Sequence, residues 1–385
     1  MKNNILQFNE CANCGACYNA CLKDAISVNS DGLFYALTVD EDKCVSCGKC
    51  VALCPVNREE HRQDVCSAIG GYSKDNKVVK RSSSGGAFYV FAQYILKSGG
   101  VVYGAAYSSD CRSVEMKSTD EVTLEELLRS KYVESLAGDS FKKIKKQLED
   151  ERMVLFCGTP CQVAGLKRYL GREYKSLYTC DFSCGGLPSH KIYNDHIDAL
   201  ETQYHSKIKS VNFRPKTYGW AIHAIRTEFF NGEVYNMPAM LDHYFAAFIQ
   251  KHITTRYNCN YCKFANNHYS DIILADFWLN NTISHLQHND GISLIIANSD
   301  KGEQLLNAVK ECLVYEDIDI KKASYNLVRK EASATMLTAK REFINAYQEG
   351  GYEVLKTTVN LPRGVNRLKI LFKCSLKKLF VKRSL

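Results

Sequence analysis

The sequence predicts a small α+β module followed by an α/β domain, and three observations predict it. Eight cysteines crowd the first 54 residues of the 385-residue chain in two copies of one spacing. From residue 66 onward, β-rich apolar runs alternate with segments of helical period. The last 24 residues carry eight basic side chains and no acidic one.

The cysteines come first. Cys11, Cys14, Cys17 and Cys21 recur 33 positions later as Cys44, Cys47, Cys50 and Cys54. A C-x2-C-x2-C loop wraps three thiolates around one 4Fe-4S cube and sends the fourth cysteine, on a short helix, to the neighbouring cube. The ligand sets therefore cross: Cys11, Cys14, Cys17 and Cys54 hold one cluster, and Cys44, Cys47, Cys50 and Cys21 the other. Gly15 and Gly48 leave room for the inorganic sulfides. Pro55 follows the second motif, as the pattern expects, whereas Leu22 stands after the first. Zinc would use separated C-x2-C pairs, and disulfides belong to oxidising compartments. Residues 1–60 thus read as a bacterial-type ferredoxin-like domain with two 4Fe-4S clusters.

Composition sets the wider bounds. Apolar residues make up 45% and charged residues 24%, the balance of a globular protein long enough for two or three domains. The start, "MKNNILQFNECANCG", has no apolar h-region, so a reducing cytoplasm is expected. Residues 82–109 carry one charge, Lys97, but Ser98, Gly99 and Gly100 divide the stretch into pieces too short to span a membrane.

A charged linker, residues 56–64, leads to the α/β part. "SSSGGAFYVFAQYIL" reads as a serine-capped helix, "VVYGAAY" as a strand, "GDSFKKIKKQLED" as an amphipathic helix, and "RMVLFCGTPCQVAGLKRYL" as strand, loop and helix. "AIHAIRTEFFNGEVYNM" reads as a hairpin turning at Asn231-Gly232, and "DIILADFW" and "SLIIAN" as buried strands. Two loops suit a phosphate-bearing ligand: Ser82 to Gly86 ahead of a helix, and Gly158-Thr159 where a strand gives way to a helix. Either loop alone is equally a plain helix cap.

Further cysteines come in short-range pairs: Cys157 with Cys161, Cys180 with Cys184, and Cys259 with Cys262. A third metal site assembled from several loops would need such pairs. Cys66, Cys111, Cys312 and Cys374 read as buried small hydrophobes.

Together, "RSSSGGAF", "SKYV", "CGTPCQVAGLKRYL", "CGGLPS", "YCKF" and "DIILADFW" resemble the beta-subunit family of the deazaflavin-coenzyme hydrogenases and dehydrogenases of methanogens, over about residues 66–312. The resemblance implies an α/β flavin- and cluster-binding domain with FAD and a nearby 4Fe-4S cluster. It implies Cys161, Cys184, Cys259 and Cys262 as the third ligand set, with Cys157 as alternate. It also puts Ser83, Ser84, Gly85, Gly86 and Lys131 near the flavin, with Gly158 and Thr159 as the second phosphate-suited loop. Two departures stand out: Ala275 occupies a family glycine position in "ADFW", and "CGGLPS" replaces a frequent "CHGVPS", losing a histidine donor.

The expected domains are 1–60, 66–315 (parts 66–150 and 151–315), a helical extension 316–361 and a basic tail 362–385. The tail's charge equals the net +8, so the body is neutral and nucleic acid is not an expected partner. Leu368, Ile370, Leu371, Phe372, Leu376, Leu379, Phe380 and Val381 interleave with its basic residues. Two readings stay open: an amphipathic helix peripheral to the inner face of a membrane, and a solvated or self-docked helix. The expected function is an iron-sulfur flavoprotein oxidoreductase. It would pass electrons between ferredoxin or another one-electron partner and an unknown two-electron substrate, since FAD converts between one- and two-electron chemistry. The alternatives are a non-catalytic electron-transfer subunit and a redox accessory of surface polysaccharide synthesis. No G-x-S-x-G or H-E-x-x-H supports a hydrolase.

Overall fold

The computed structural model describes residues 11–57, 65–329 and 331–383; for 280–281, 325–326 and 377–383 it describes the backbone alone. Most of the charged linker, and the side chains of Lys377, Lys378, Leu379, Phe380, Val381, Lys382 and Arg383, lie outside the described residues.

The N-terminal module carries the hairpin β1 (Ile26–Asn29) and β2 (Ala36–Val39). Its two cysteine loops repeat in backbone as well as in sequence: Asn13 and Ser46 have φ of 52° and 54°, and Gly15 and Gly48 have φ of 91° and 69°. The α/β part contains β3 (Ser67–Ser73), β4 (Val101–Tyr107), β5 (Val114–Ser118), β6 (Val154–Cys157), β7 (Leu177–Phe182), β8 (Ile208–Asn212), β9 (Ala224–Phe229), β10 (Val234–Pro238), β11 (Ile272–Asp276), β12 (Ser293–Ala297) and β13 (Leu313–Asp317). Eight of them form one sheet in the order β13-β3-β12-β11-β7-β6-β4-β5. The four strands β4, β6, β7 and β11 run parallel, and β5, β12, β3 and β13 add antiparallel edges.

Burial on both faces explains the continuous apolar runs of the central strands. On one face Val101, Tyr103, Val154 and Phe156 meet the helices Ser140–Glu149 and Pro160–Leu170. On the other, Val102, Leu155 and Ile295 meet Ala87–Lys97 and Asp300–Val309. A second antiparallel sheet, β10-β9-β8, turns at Gly232 with φ of 89°, as the Asn-Gly pair predicts. Its aromatic core holds Tyr193, Phe213, Tyr244 and Phe245 and also takes Phe343, Tyr347 and Leu355 from helices Ala334–Gly350 and Tyr352–Thr358, and Val359 just after the second.

One expectation needs correcting here. Helix Ala87–Lys97 starts on Gly86, whose φ is 89°, and no side chain caps it. The serines before it are spent elsewhere: Ser83 accepts from the Ser130 amide and Ser84 donates to the Ile292 carbonyl.

The N-terminal module is packed onto the body. Helix Ala16–Ala20 lies on Pro160–Leu170, and Asn13 and Asn19 donate to the carbonyls of Ser135 and Gly138. Glu134, fully buried, accepts from the Tyr35 amide, lies 2.8 Å from His190 Nδ1 and pairs with Arg256 at 2.9 Å. Tyr35 stacks on His190 at 3.9 Å. At the other end, helix Gly364–Arg383 leaves Val365, Leu368, Phe372 and Leu376 exposed while Cys374 is buried. Among the described residues, no helix is long and apolar enough to cross a membrane.

Candidate functional site

Cys14, Cys17 and Cys54 are buried and Cys11 is half-buried. Burial pushes the Cys14 thiol up to about 12, and charge on Cys11 and Cys54 adds to the rise. Burial likewise raises Cys17, helped by Cys14, Cys11 and Cys54, and it raises Cys54, helped by Cys11. These four thiols therefore sit within electrostatic reach of one another, the crossed set read from the sequence. Their grouping suits a cationic cluster, because four thiolates in an apolar setting repel unless metal ions compensate them. In the second set Cys50 is buried, Cys21 and Cys44 are half-buried and Cys47 is exposed. Cys21 and Cys50 share one small apolar cluster with Cys17 and Cys54, so the two sets adjoin. Amides point at the sulfurs: Asn13 N–H donates to Cys11 Sγ and Ala25 N–H to Cys21 Sγ.

The third candidate set converges on a separate cavity of about 70 Å³, whose walls include Cys161, Cys184, Cys259 and Cys262 together with Cys11 and Ala12. Cys161 is raised by burial and then by Cys262 and Cys184; Cys184 is pushed up to about 12 by burial and then by Cys259 and Cys262. The Leu187 amide donates to Cys259 Sγ. Among the described residues no three His, Cys, Asp or Glu converge as ligands of a single ion would. A cube is different, since it takes one thiolate at each of four separate corners. Cys161 owes its aim to the capping box of Thr159 and Gln162, which starts helix Pro160–Leu170. That T-x-x-Q signal is legible in the sequence as a helix start. Cys161 Sγ lies 3.5 Å from the Ala12 carbonyl oxygen, so the third set touches the first.

Cys157, the alternate ligand, lines a different and larger cavity and interacts with Cys180. Of the four cysteines read as buried hydrophobes, Cys111 and Cys374 are buried, Cys66 is half-buried and Cys312 is exposed. Cys312 closes the short turn before β13, where the chain runs along the surface.

The larger cavity, about 370 Å³, opens at the carboxyl ends of β6, β7 and β11, the ligand crevice of a parallel sheet. Ser83, Ser84, Gly86, Lys131, Gly158 and Thr159 all line it. Gly85 instead packs on the sheet, where an added Cβ would sit 2.5 Å from the Gly71 carbonyl oxygen. Burial, followed by Arg129, pushes Lys131 down to about 7, and its ammonium donates to the carbonyls of Leu128 and Glu126. The charged side chains of the lining are Arg129, Lys131, Arg214 and Asp276, an excess of positive charge that suits an anionic ligand. Arg214, Asp276 and Trp278 were not read from the sequence as site residues. Asp276 and Trp278 lie in the quoted "DIILADFW" motif, whereas nothing local marks Arg214. Cys184, Gly186 and Leu187 line both cavities, so the wall between them is one segment of chain thick.

Residues 10–58 match the family model of the 4Fe-4S dicluster domain, and residues 151–322 match that of the C-terminal region of the coenzyme F420 hydrogenase/dehydrogenase beta subunit. A coenzyme F420-dependent sulfite reductase of Methanocaldococcus jannaschii is 22% identical over 361 residues, which are 91% of this chain and 54% of the relative. The chain thus spans about half the length of that relative. Among solved structures, a chain of the F420-reducing [NiFe] hydrogenase complex from Methanosarcina barkeri is similar at 13% identity and a TM-score of 0.45, with 76% of this chain and 93% of that one covered. These matches liken residues 151–322 to the C-terminal region of the coenzyme F420 hydrogenase/dehydrogenase beta subunit and residues 10–58 to a 4Fe-4S dicluster domain.

Proposed function

We propose that this protein is an iron-sulfur flavoprotein oxidoreductase that moves electrons between three adjoining cluster sites, a flavin and a two-electron substrate. Cys44, Cys47, Cys50 and Cys21 would hold the outermost cluster, Cys11, Cys14, Cys17 and Cys54 the next, and Cys161, Cys184, Cys259 and Cys262 the third. The larger cavity would hold FAD. The observation that carries the reading is contiguity: Cys11 and Ala12 line the third cysteine cavity, and Cys184, Gly186 and Leu187 line both that cavity and the larger one. When bound, FAD exchanges electrons singly or in pairs, whereas 4Fe-4S clusters exchange them singly. The chain's own residues supply position. Gly86 opens a helix N-terminus toward the cavity, Lys131 and Arg129 supply positive charge, and the Thr159 cap fixes Cys161. The exposed Cys47 marks where ferredoxin or another one-electron partner would approach.

Coenzyme F420, named in the relative and the matched family, is the first two-electron substrate to try. Anaerobically purified protein is expected to carry FAD and about twelve irons, three cubes of four. Its flavin should bleach on addition of reduced ferredoxin. Protein with full iron but no extractable flavin would overturn the flavoprotein reading.

We also propose peripheral contact between helix Gly364–Arg383 and an anionic membrane face. Val365, Leu368, Phe372 and Leu376 recur at steps of three, four and four, so they form one exposed stripe beside the exposed Lys369 and Lys373.

A further inference from the structure

Arg214 holds an unmet hydrogen-bond donor at the large cavity. It follows β8, its side chain is 4% exposed, and Nη1 donates to Asp276 Oδ2 at 2.7 Å. Nη2 is buried and has no hydrogen-bond partner. A buried charged donor without an acceptor is among the costlier defects a fold can carry, and a ligand oxygen would remove it.

The surroundings are built to hold this side chain still. Asp276 takes Arg214 on one carboxylate oxygen and Trp220 Nε1 on the other, at 3.1 Å. The Trp220 ring is wedged against Gly291, where any Cβ would come within 2.8 Å of it. Trp278 stacks on Trp220 with centroids 4.5 Å apart and planes at 11°, and it is 45% exposed as part of the cavity wall. A large indole left open at a cavity mouth is a ready contact surface for a ligand. His223 meets the edge of Trp278, and burial, then Arg214, pushes it down to about 4, so it adds no charge near neutrality. Asp276 is the one carboxylate among the described cavity lining, and Arg214 already occupies it.

We propose that Arg214, fixed by Asp276 and flanked by the Trp220–Trp278 stack, is the anion-binding subsite of the large cavity, taking a phosphate or carboxylate oxygen on Nη2 while Trp278 covers the adjoining part of the ligand. The inference rests on the reading of this cavity as the redox-ligand site. The same chemistry has two sources, the pyrophosphate of FAD and an acidic group of the two-electron substrate.

Both tryptophans of the chain belong to this subsite, so tryptophan emission reports on it alone. In flavin-free protein with its clusters intact, inorganic pyrophosphate should change the emission saturably. Arg214→Gln should weaken that binding at least tenfold, and Arg214→Lys, which keeps the charge opposite Asp276 but loses the forked second nitrogen, should weaken it less. Calorimetry on FAD-loaded protein separates the sources. If pyrophosphate no longer binds and Arg214→Gln loses FAD, the anion is the flavin's. If loaded protein still binds pyrophosphate through Arg214 and the variant keeps its FAD, the anion is the substrate's. Protein that never retains FAD but responds to pyrophosphate through Arg214 would sink the flavoprotein reading and leave the subsite standing. Equal pyrophosphate binding and equal FAD retention in parent, Arg214→Gln and Arg214→Lys would overturn the subsite; should Arg214→Gln fail to fold, parity between Arg214→Lys and the parent decides against it.

Discussion

Gly165 packs directly against Cys14 of the N-terminal module, so Gly165→Val tests whether that contact carries the electron path. Gly165 lies inside helix Pro160–Leu170, and a Cβ placed there would sit 3.0 Å from both Cβ and Sγ of Cys14 and 3.2 Å from the Cys14 carbonyl oxygen. Those neighbours cannot give way easily, since one is backbone and the other is a sulfur that a bound cluster would pin. Valine would gain a few tenths of a kcal/mol in helix propensity over glycine. Against that gain, overpacking a close contact costs about 1–3 kcal/mol. The net expectation is a loss of roughly 1–2 kcal/mol in urea unfolding, with the module displaced from Cys161. Iron content should stay near the parent's, because each N-terminal ligand set is complete within the module. Stopped-flow reduction by ferredoxin should then show the N-terminal clusters reduced at the parent rate and the flavin reduced more slowly. A Gly165→Val protein with parent stability and parent flavin reduction would refute the claim that this contact carries electrons.

Cys184→Ala should lower iron from about twelve to about eight per chain and leave the N-terminal cluster signals in place, whereas Cys157→Ala should leave about twelve. Arg329 lines the third cysteine cavity and donates to the Cys184 carbonyl, so Arg329→Gln should lower that cluster's reduction potential by removing a cation that favours the reduced state; an unchanged midpoint in an EPR-monitored titration would contradict this. Lys131 is held down to about 7 by burial, so it is charged below that pH and neutral above it. FAD affinity should therefore fall by up to about tenfold per pH unit above 7, and Lys131→Met should abolish the slope. For the tail, Leu368→Glu combined with Phe372→Glu should abolish low-salt flotation on anionic vesicles, to which each nearby basic residue contributes about 1 kcal/mol; equal flotation of parent and variant would end the membrane reading.

The sequence shows most where the chemistry is local. A cluster loop needs its thiolates a few residues apart and a glycine between them, so Cys11, Cys14, Cys17 and their copies are legible as spacing, and the crossed fourth ligand follows from the repeat. The third set is harder, because Cys161, Cys184 and the pair Cys259 and Cys262 come from three separated segments. Short-range pairing nominates them, the family resemblance ranks Cys161 ahead of Cys157, and the fold gives the physical reason. Four residues along one helix would share a face, yet the β6 strand ends at Cys157 and Pro160 starts a helix, so the two thiols line different cavities. β4, β6, β11 and β12 are legible as apolar runs, whereas β7 carries Thr179 and Asp181 in its run, and β3 and β13 depend on pairings in which β3 meets β12 and β13 across more than 200 residues. Arg214 was illegible for the same reason: its meaning comes from Asp276, 62 residues away, and from a cavity no local pattern encodes.

The docking of the N-terminal module bears on how a partner must work. Glu134, Arg256 and His190 form a buried network of the body that grips the module's backbone. The Tyr35 amide donates to Glu134, Arg256 donates to the Tyr35 carbonyl, and His190 Nε2 lies 2.9 Å from the Ser30 carbonyl oxygen. Separation of the module therefore breaks several hydrogen bonds to charged groups, each worth about 1.5–3 kcal/mol. Electrons would thus pass between the first and third cysteine sets through a fixed contact, at Ala12 and Cys161, with no diffusional search inside the chain. The variable step moves outward, to the rim where Cys47 is exposed and Cys44 half-buried. Glu134→Gln should expose this division of labour. It leaves every cysteine in place, yet it removes the carboxylate charge that Arg256 faces. Iron content should match the parent and reduction of the outermost cluster by ferredoxin should keep its rate, while flavin reduction slows and limited proteolysis begins to release the N-terminal module. If proteolysis and flavin reduction are unchanged in Glu134→Gln, the module is held by its apolar contact with helix Pro160–Leu170 and not by the buried ion network.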